Sequence, residues 1–208
     1  MTRSTLSLIL LSALALPLSA QSDPGGERTG IAVSYLAPVD NLDSVFNPGF
    51  QVGFQIHFNR ESRHLGRFRM DYLRMDAKRP VVAGTLLTLS GTTWVTSPLM
   101  ADSRMEAYSV AYEWMPHVEE PARHGLFGIF GVGGTLWNET MRNPVLFGGS
   151  HTDTKWGLTL SGGAGWRFNP AFSVEARYVY SDLAFHEHRD VRYGSTRSFL
   201  TCGATFRF

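Results

Sequence analysis

Apolar and polar residues alternate one by one along most of this chain. The clearest run is 49–59, where Phe50, Val52, Phe54, Ile56 and Phe58 alternate with Gln51, Gly53, Gln55 and His57. A strand sends successive side chains to opposite faces, so this run predicts a strand with one greasy and one polar face. The pattern recurs in 29–37, with Ile31, Val33 and Tyr35 against Gly30, Ala32 and Ser34. In 66–75 it sets Phe68, Met70 and Tyr72 against Arg67, Arg69 and Asp71, and in 105–115 Tyr108, Val110, Tyr112 and Trp114 against Ala107, Ser109, Ala111 and Glu113. The glycine-rich run 126–137 is read with Phe130, Val132 and Leu136 outward and Gly131, Gly133 and Thr135 inward.

Three more segments complete the set. In 155–168, Trp156, Leu158, Leu160, Ala164, Trp166 and Phe168 oppose Gly157, Thr159, Ser161, Gly163, Gly165 and Arg167. In 171–183, Phe172, Val174, Ala176, Tyr178 and Tyr180 oppose Ser173, Glu175, Arg177 and Ser181. The last, 195–208, puts Leu200, Cys202, Ala204, Phe206 and Phe208 on one face and Thr201, Gly203, Thr205 and Arg207 on the other.

Each segment approaches the roughly 9–11 tilted residues that carry a strand across a bilayer. A soluble sandwich would scatter Lys, Glu and Thr over its polar faces. Here those faces are mostly Gly, Ala, Ser and Thr with a few Arg and Glu, which suits a narrow, crowded interior. Aromatics collect near segment ends (Tyr35, Phe50, Phe58, Tyr72, Trp114, Trp156, Trp166, Phe168, Phe208), where membrane barrels carry their girdles. Lysine is nearly missing from the segments, and a cation at a lipid-facing midplane would cost about 2–4 kcal/mol.

The N-terminus changes the compartment. Arg3, the apolar stretch 6–18 and the Leu18-Ser19-Ala20 site read as a cleavable signal peptide over 1–20. The expected domain is therefore 21–208, with 21–27 a flexible lead-in. Cys202 is the single cysteine, so an exported chain has no internal disulfide. A net charge of +1 argues against nucleic-acid binding.

The connections 38–48, 60–65, 76–104, 116–125, 138–154, 169–170 and 184–194 alternate longer and shorter. Membrane barrels have long outside loops and short periplasmic turns, so both termini are expected on the periplasmic side. The expected fold is all-β, an eight-stranded antiparallel transmembrane barrel.

On these features the chain resembles the small eight-stranded outer-membrane barrels, the OmpA/OmpX-like superfamily of Gram-negative bacteria. The carriers are the signal peptide, the Phe50 to Phe58 alternation, Gly131 and Gly133, the run Phe172-Ser173-Val174-Glu175-Ala176-Arg177-Tyr178, and the terminal Phe206-Arg207-Phe208. The resemblance implies an outer-membrane location, contact with outer-membrane lipid, and insertion by the barrel-assembly machinery. That machinery reads the terminal strand, here Phe206 and Phe208. Members include structural anchors, adhesion or defence proteins, small-solute conduits and a few lipid-modifying enzymes. No peptidoglycan-binding domain is expected after the barrel.

The inward parity collects Arg67, Arg69, Asp71, Glu113, Arg167, Glu175, Arg177, Arg207, Gln51, Gln55 and His57. Buried charges must pair or they cost several kcal/mol each. Glu113 and Glu175 with Arg69, Arg167, Arg177 and Arg207 are therefore expected to form a lumen network. Either it plugs the barrel, or it gates a narrow pore for anions or small hydrophobic solutes.

Three weaker features remain. His186-Glu187-His188 with Asp190 has metal-ligand types but lies in a loop, and no metal or other cofactor is expected. Ser195 and Ser198 follow that pair without a hydrolase motif, so lipid-A modification ranks third and no catalysis is expected. The stretch 80–100 is too apolar for a solvated loop. It is expected as a projecting β-ribbon, as a lid, or as an extra hairpin making ten strands. The expected role is structural or surface-interacting, as a monomer, with 76–104 and 138–154 as contact surface for an extracellular partner.

Overall fold

The computed structural model describes residues 28–58, 64–90, 92–118, 124–143, 148–182 and 196–208. The expected signal peptide and lead-in, and the loop holding His186, Glu187, His188, Asp190 and Ser195, lie outside them. Among the described residues there are nine strands: β1 Arg28–Pro38, β2 Gly49–Phe58, β3 His64–Asp76, β4 Val81–Ser90, β5 Thr93–Pro116, β6 Gly125–Asn143, β7 Gly149–Asn169, β8 Phe172–Asp182 and β9 Thr196–Arg207.

Eight of the nine close a ring. The order runs β3-β2-β1-β9-β8-β7-β6-β5, and β5 pairs back onto β3. Every pairing is antiparallel, and the first and last strands meet with Ile31 opposite Phe206 and Tyr35 opposite Cys202. β4 pairs with β5 only and stays outside the ring, so the ten-stranded alternative does not hold. Among the described residues no helix is long and apolar enough to cross a membrane; the crossing elements are strands.

The greasy parity faces outward throughout. Val33, Phe50, Val110, Phe130, Val132, Leu160 and Phe206 are all exposed, while Gln51, Gln55, Arg67, Glu113, Glu175 and Arg177 are buried. One aromatic belt runs through neighbours Tyr35, Phe50, Tyr72 and Tyr108 and, across Leu136, to Trp156. The other holds Trp114, Phe130, Trp166, Phe168, Phe172 and Phe206. On β7, Trp156 and Trp166 mark the two belts. The ten residue steps from one to the other span about 33 Å along the strand, or about 25 Å upright at a 40° tilt, the height of a lipid-facing band. Just above the upper belt the outward parity turns polar: Arg74, Arg104, Glu106 and Arg142 occupy neighbouring ladder positions.

Two hairpins rise past that rim. The expected loop 138–154 is mostly strand, which corrects the loop reading. β6 and β7 stay paired up to Asn143 opposite Gly149. Apart from the inward Met141, both parities there are polar, so alternation vanishes from the sequence while pairing continues. Cross-strand bonds take over, Thr140 Oγ1 to Thr152 Oγ1 at 3.1 Å and Thr154 Oγ1 to Asn138 Oδ1 at 2.8 Å. The second hairpin is β4 with the first half of β5, paired from Val81–Ala101 to Ser90–Thr93 with one bulge near Gly84. Its side chains are exposed on both faces, including Leu87, Leu89 and Trp94. It is the ribbon of the three expected forms, not the lid.

The first loop supplies what covers the mouth instead. After a 3-10 turn at Asp40–Leu42, Leu42 and Phe46 become fully buried. The loop is pinned to the ribbon's base by Asn47 N–H to Asp76 O (2.9 Å), Lys78 N–H to Val45 O (2.7 Å) and Lys78 Nζ to Asp43 Oδ1 (3.0 Å).

Candidate functional site: the barrel interior and the outer rim

The interior is built in three layers. Uppermost is an apolar layer of Leu36, Leu73, Met75, Met105, Trp137 and Phe199, with Leu42 and Phe46 of the first loop seated in it. These inward residues escaped the sequence reading. Leu136 and Trp137, or Val179 and Tyr180, are apolar on both parities, so alternation cannot say which of each pair turns in. Below them a hydroxyl chain crosses three strands: Thr135 to Thr159 at 2.6 Å, Thr159 to Ser181 at 3.1 Å, and Trp137 Nε1 to Ser181 Oγ at 3.0 Å.

The middle layer holds the charges. β3 and β8 are four places apart in the eight-strand ring, hence opposite each other. Arg67 reaches from β3 straight across to β8. It donates Nη1 to Glu175 Oε1 (2.6 Å) and Nη2 to Glu175 Oε2 (2.9 Å), a two-pronged pair. Its Nε bonds Glu113 Oε2 at 2.6 Å and its Nη1 also reaches Gln55 Oε1 at 2.8 Å. Glu113 takes a second arginine, Arg177 Nη1, at 2.8 Å. Arg69 holds Asp71 through Nε at 2.7 Å and lies 3.7 Å from Glu175. Thr205 Oγ1 donates to Glu175 Oε1 at 3.2 Å. All of these side chains are buried.

The structure thus brings Arg69, Glu113, Glu175 and Arg177 together, around Arg67 as hub. Arg67 stood on the inward parity, but the sequence carries no sign of its length of reach. Arg167 and Arg207 also point inward and are buried, but they sit a layer lower. Arg167 lies over Phe127, 5.8 Å from the ring centroid. That lowest layer is again apolar, with Leu65, Met115, Phe127 and Ile129. His117, just past β5, stacks on Phe127 at 5.2 Å and bonds the Met115 carbonyl through Nδ1 at 2.9 Å.

Glycine makes room for the charge layer. A Cβ at Gly131 would collide with Ser161 Oγ and come within 2.9 Å of Glu113 Cγ. One at Gly163 would press on the Ala176 carbonyl and sit 2.8 Å from Arg177 Cγ. Only a residue without a side chain lets two strands and an arginine share that space.

A profile of the outer membrane protein beta-barrel domain matches residues 6–208. The chain belongs to that family. It is an outer-membrane protein, and its greasy outer face is the surface that lipid covers. Solved structures of outer-membrane proteins are similar to it at low identity. Ail, the attachment invasion locus protein of Yersinia pestis, solved in complex with the heparin analogue sucrose octasulfate, is 19% identical (TM-score 0.49; 88% of this chain and 97% of that one). Neisserial surface protein A is 16% identical (TM-score 0.50; 88% and 97%). OprG of Pseudomonas aeruginosa is 12% identical (TM-score 0.43; 88% and 94%). No curated protein matches the sequence.

The other expected residues fall as follows. Phe206 and Phe208 point outward at the lower belt and are exposed, and Phe208 N–H bonds the Thr29 carbonyl at 3.0 Å. Ser198 is buried and Cys202 exposed on the outer wall. Among the described residues no three His, Cys, Asp or Glu gather as they would around a metal ion.

Proposed function

We propose that this barrel is a closed, non-conducting outer-membrane protein whose work is done at its surface, by the β4–β5 ribbon. The observation that carries the first half is the Arg67–Glu175 pair, which spans the lumen at its centre. An eight-stranded barrel is just wide enough for its own side chains to fill it. Here the charge layer is capped above by Leu42, Phe46 and Trp137 and below by Phe127 and Ile129. Water or solute crossing the barrel must break charge-assisted bonds and wet two apolar layers. The second half rests on the ribbon's exposure beyond the rim, where neither lipid nor the barrel covers it.

Planar-bilayer recording of the purified protein tests the first half. No unit conductance is expected, at either polarity. Steady single-channel steps that rise after Arg67→Ala would support a narrow pore instead. Phe206 and Phe208 are assigned to the terminal signal read during insertion, and Phe208→Ala should slow assembly without changing the folded barrel's mobility on an unboiled gel.

A further inference from the structure

The ribbon's outer edge has a feature that the barrel does not need. From Val81 to Ala101 there is no Asp, Glu, Lys, Arg or His. Edge strands ordinarily carry charge or proline against chance pairing. The ribbon's two edges differ in this respect. β5 carries Pro98, which has no N–H to give another strand, and its Met100 carbonyl is taken by Asn143 Nδ2 at 2.6 Å. β4 carries neither proline nor charge. One face of the ribbon also joins Leu87 and Leu89 of β4 to Trp94 and Met100 of β5, with exposures of 61, 59, 65 and 45%.

We infer that the occupant of this edge is the β4 edge of a second copy of the chain, carried by an apposed membrane. The inference rests on the surface role proposed above and names its partner. Insertion of the ribbon into lipid is disfavoured, because a two-stranded ribbon would take open edges into hydrocarbon, where unpaired backbone groups cost several kcal/mol each. A partner strand satisfies the open backbone groups of the edge along its length. The uncharged edge is compatible with itself, because self-pairing sets no like charges opposite one another. Antiparallel pairing centred on Leu87 sets Leu87 against Leu87 and Thr85 against Leu89. The apolar faces of both ribbons then join into one four-stranded surface.

Symmetry decides the placement. Copies in one membrane are related by rotation about its normal, so their ribbons run the same way. Identical edges would then meet parallel and in register, donor facing donor. A twofold axis lying between two membranes makes the strands antiparallel and the ladder complete.

The test uses full-length protein reconstituted into two dye-labelled vesicle populations, scored for co-clustering. Clustering is expected only when both populations carry the barrel, and Leu87→Lys with Leu89→Lys should reduce it at least tenfold. Both changes lie outside the ring, so unboiled gel mobility stays as in the parent and reports that the barrel folds. In a Cys202→Ala background, Leu87→Cys should give a disulfide-linked dimer between the populations. Clustering with barrel-free vesicles would overturn the inference in favour of lipid. Clustering that survives the lysines would overturn it in favour of another surface. Absence of both clustering and dimer would overturn it while leaving the closed-lumen reading to the conductance result.

Discussion

Arg67 gives the sharpest test of how the interior is held. Replacing it with Met removes the donors to Glu113, Gln55 and Glu175 while keeping an unbranched apolar stem. Glu113 retains Arg177 at 2.8 Å. Glu175 is left with Thr205 at 3.2 Å and Arg69 at 3.7 Å, and stays buried. Removing one partner of a buried pair costs about 3–5 kcal/mol, because the other charge is stranded. Arg67→Met should therefore destabilise the barrel by about 4 kcal/mol. Glu175→Gln should cost about 2 kcal/mol, since Arg67 still holds Glu113. The double change should cost less than the sum by about 2 kcal/mol, because the stranded carboxylate is gone. Urea unfolding in lipid vesicles, followed by tryptophan fluorescence and by unboiled gel mobility, measures all three. Additivity within about 0.5 kcal/mol would mean that the pair is not coupled. Arg67→Met indistinguishable from the parent would refute the hub itself.

Other outcomes follow from the same geometry. Val132, exposed midway between the belts and flanked by Tyr112 and Leu160, should lose about 2–4 kcal/mol as Val132→Arg in the same urea titration. Leu87→Arg on the ribbon should change stability by less than about 0.5 kcal/mol, which locates the edge of the lipid band. Phe46→Ala empties a fully buried site in the upper layer and should cost about 3–5 kcal/mol by that titration, with protease nicking near residue 46 as a second readout. His117 has its pKa pushed down to about 4 by burial and then by Arg167. Its neutral form is favoured by folding, so its contribution is complete above about pH 6.5 and fades as pH falls towards 4. The parent should lose stability over that window more steeply than His117→Gln, and identical pH profiles would refute the assignment.

The lipid-facing surface was legible because it obeys one rule over its whole height. Phe50 to Phe58, Trp156 to Phe168 and Leu200 to Phe208 face outward as alternation requires. Arg69, Glu113, Glu175 and Arg177 were legible as inward charges by the same parity. Their partners were not, because pairing depends on which strands face each other across the ring. Arg67 becomes the hub only when β8 lies opposite β3. The apolar layers were hidden for another reason. Leu73, Met75 and Met105 sit on the inward parity, but sequence offers no reason for an apolar residue to face a lumen unless a loop also fills it. The burial of Leu42 and Phe46 supplies that reason. Above the rim, β6 and β7 remain strands after their alternation ends, held by Thr, Asn and backbone bonds that carry no periodicity.

Closing the ring removes the open edges that make β-proteins prone to chance association. Eight strands accomplish this here, with Ile31 against Phe206 as one rung of the final seam. The chain then adds β4, which has one strand partner and contributes no side chain to the buried interior clusters. An unblocked edge of ten residues carries an aggregation hazard with no return to barrel stability. The same hairpin leaves Leu87, Leu89 and Trp94 in water, where each forgoes about 1.5–3 kcal/mol of burial. The partner strand proposed above removes the first of these by pairing the edge, and the apolar face continues across both ribbons. The hairpin is thus energetically incomplete in the isolated molecule, whereas the ring beneath it is closed.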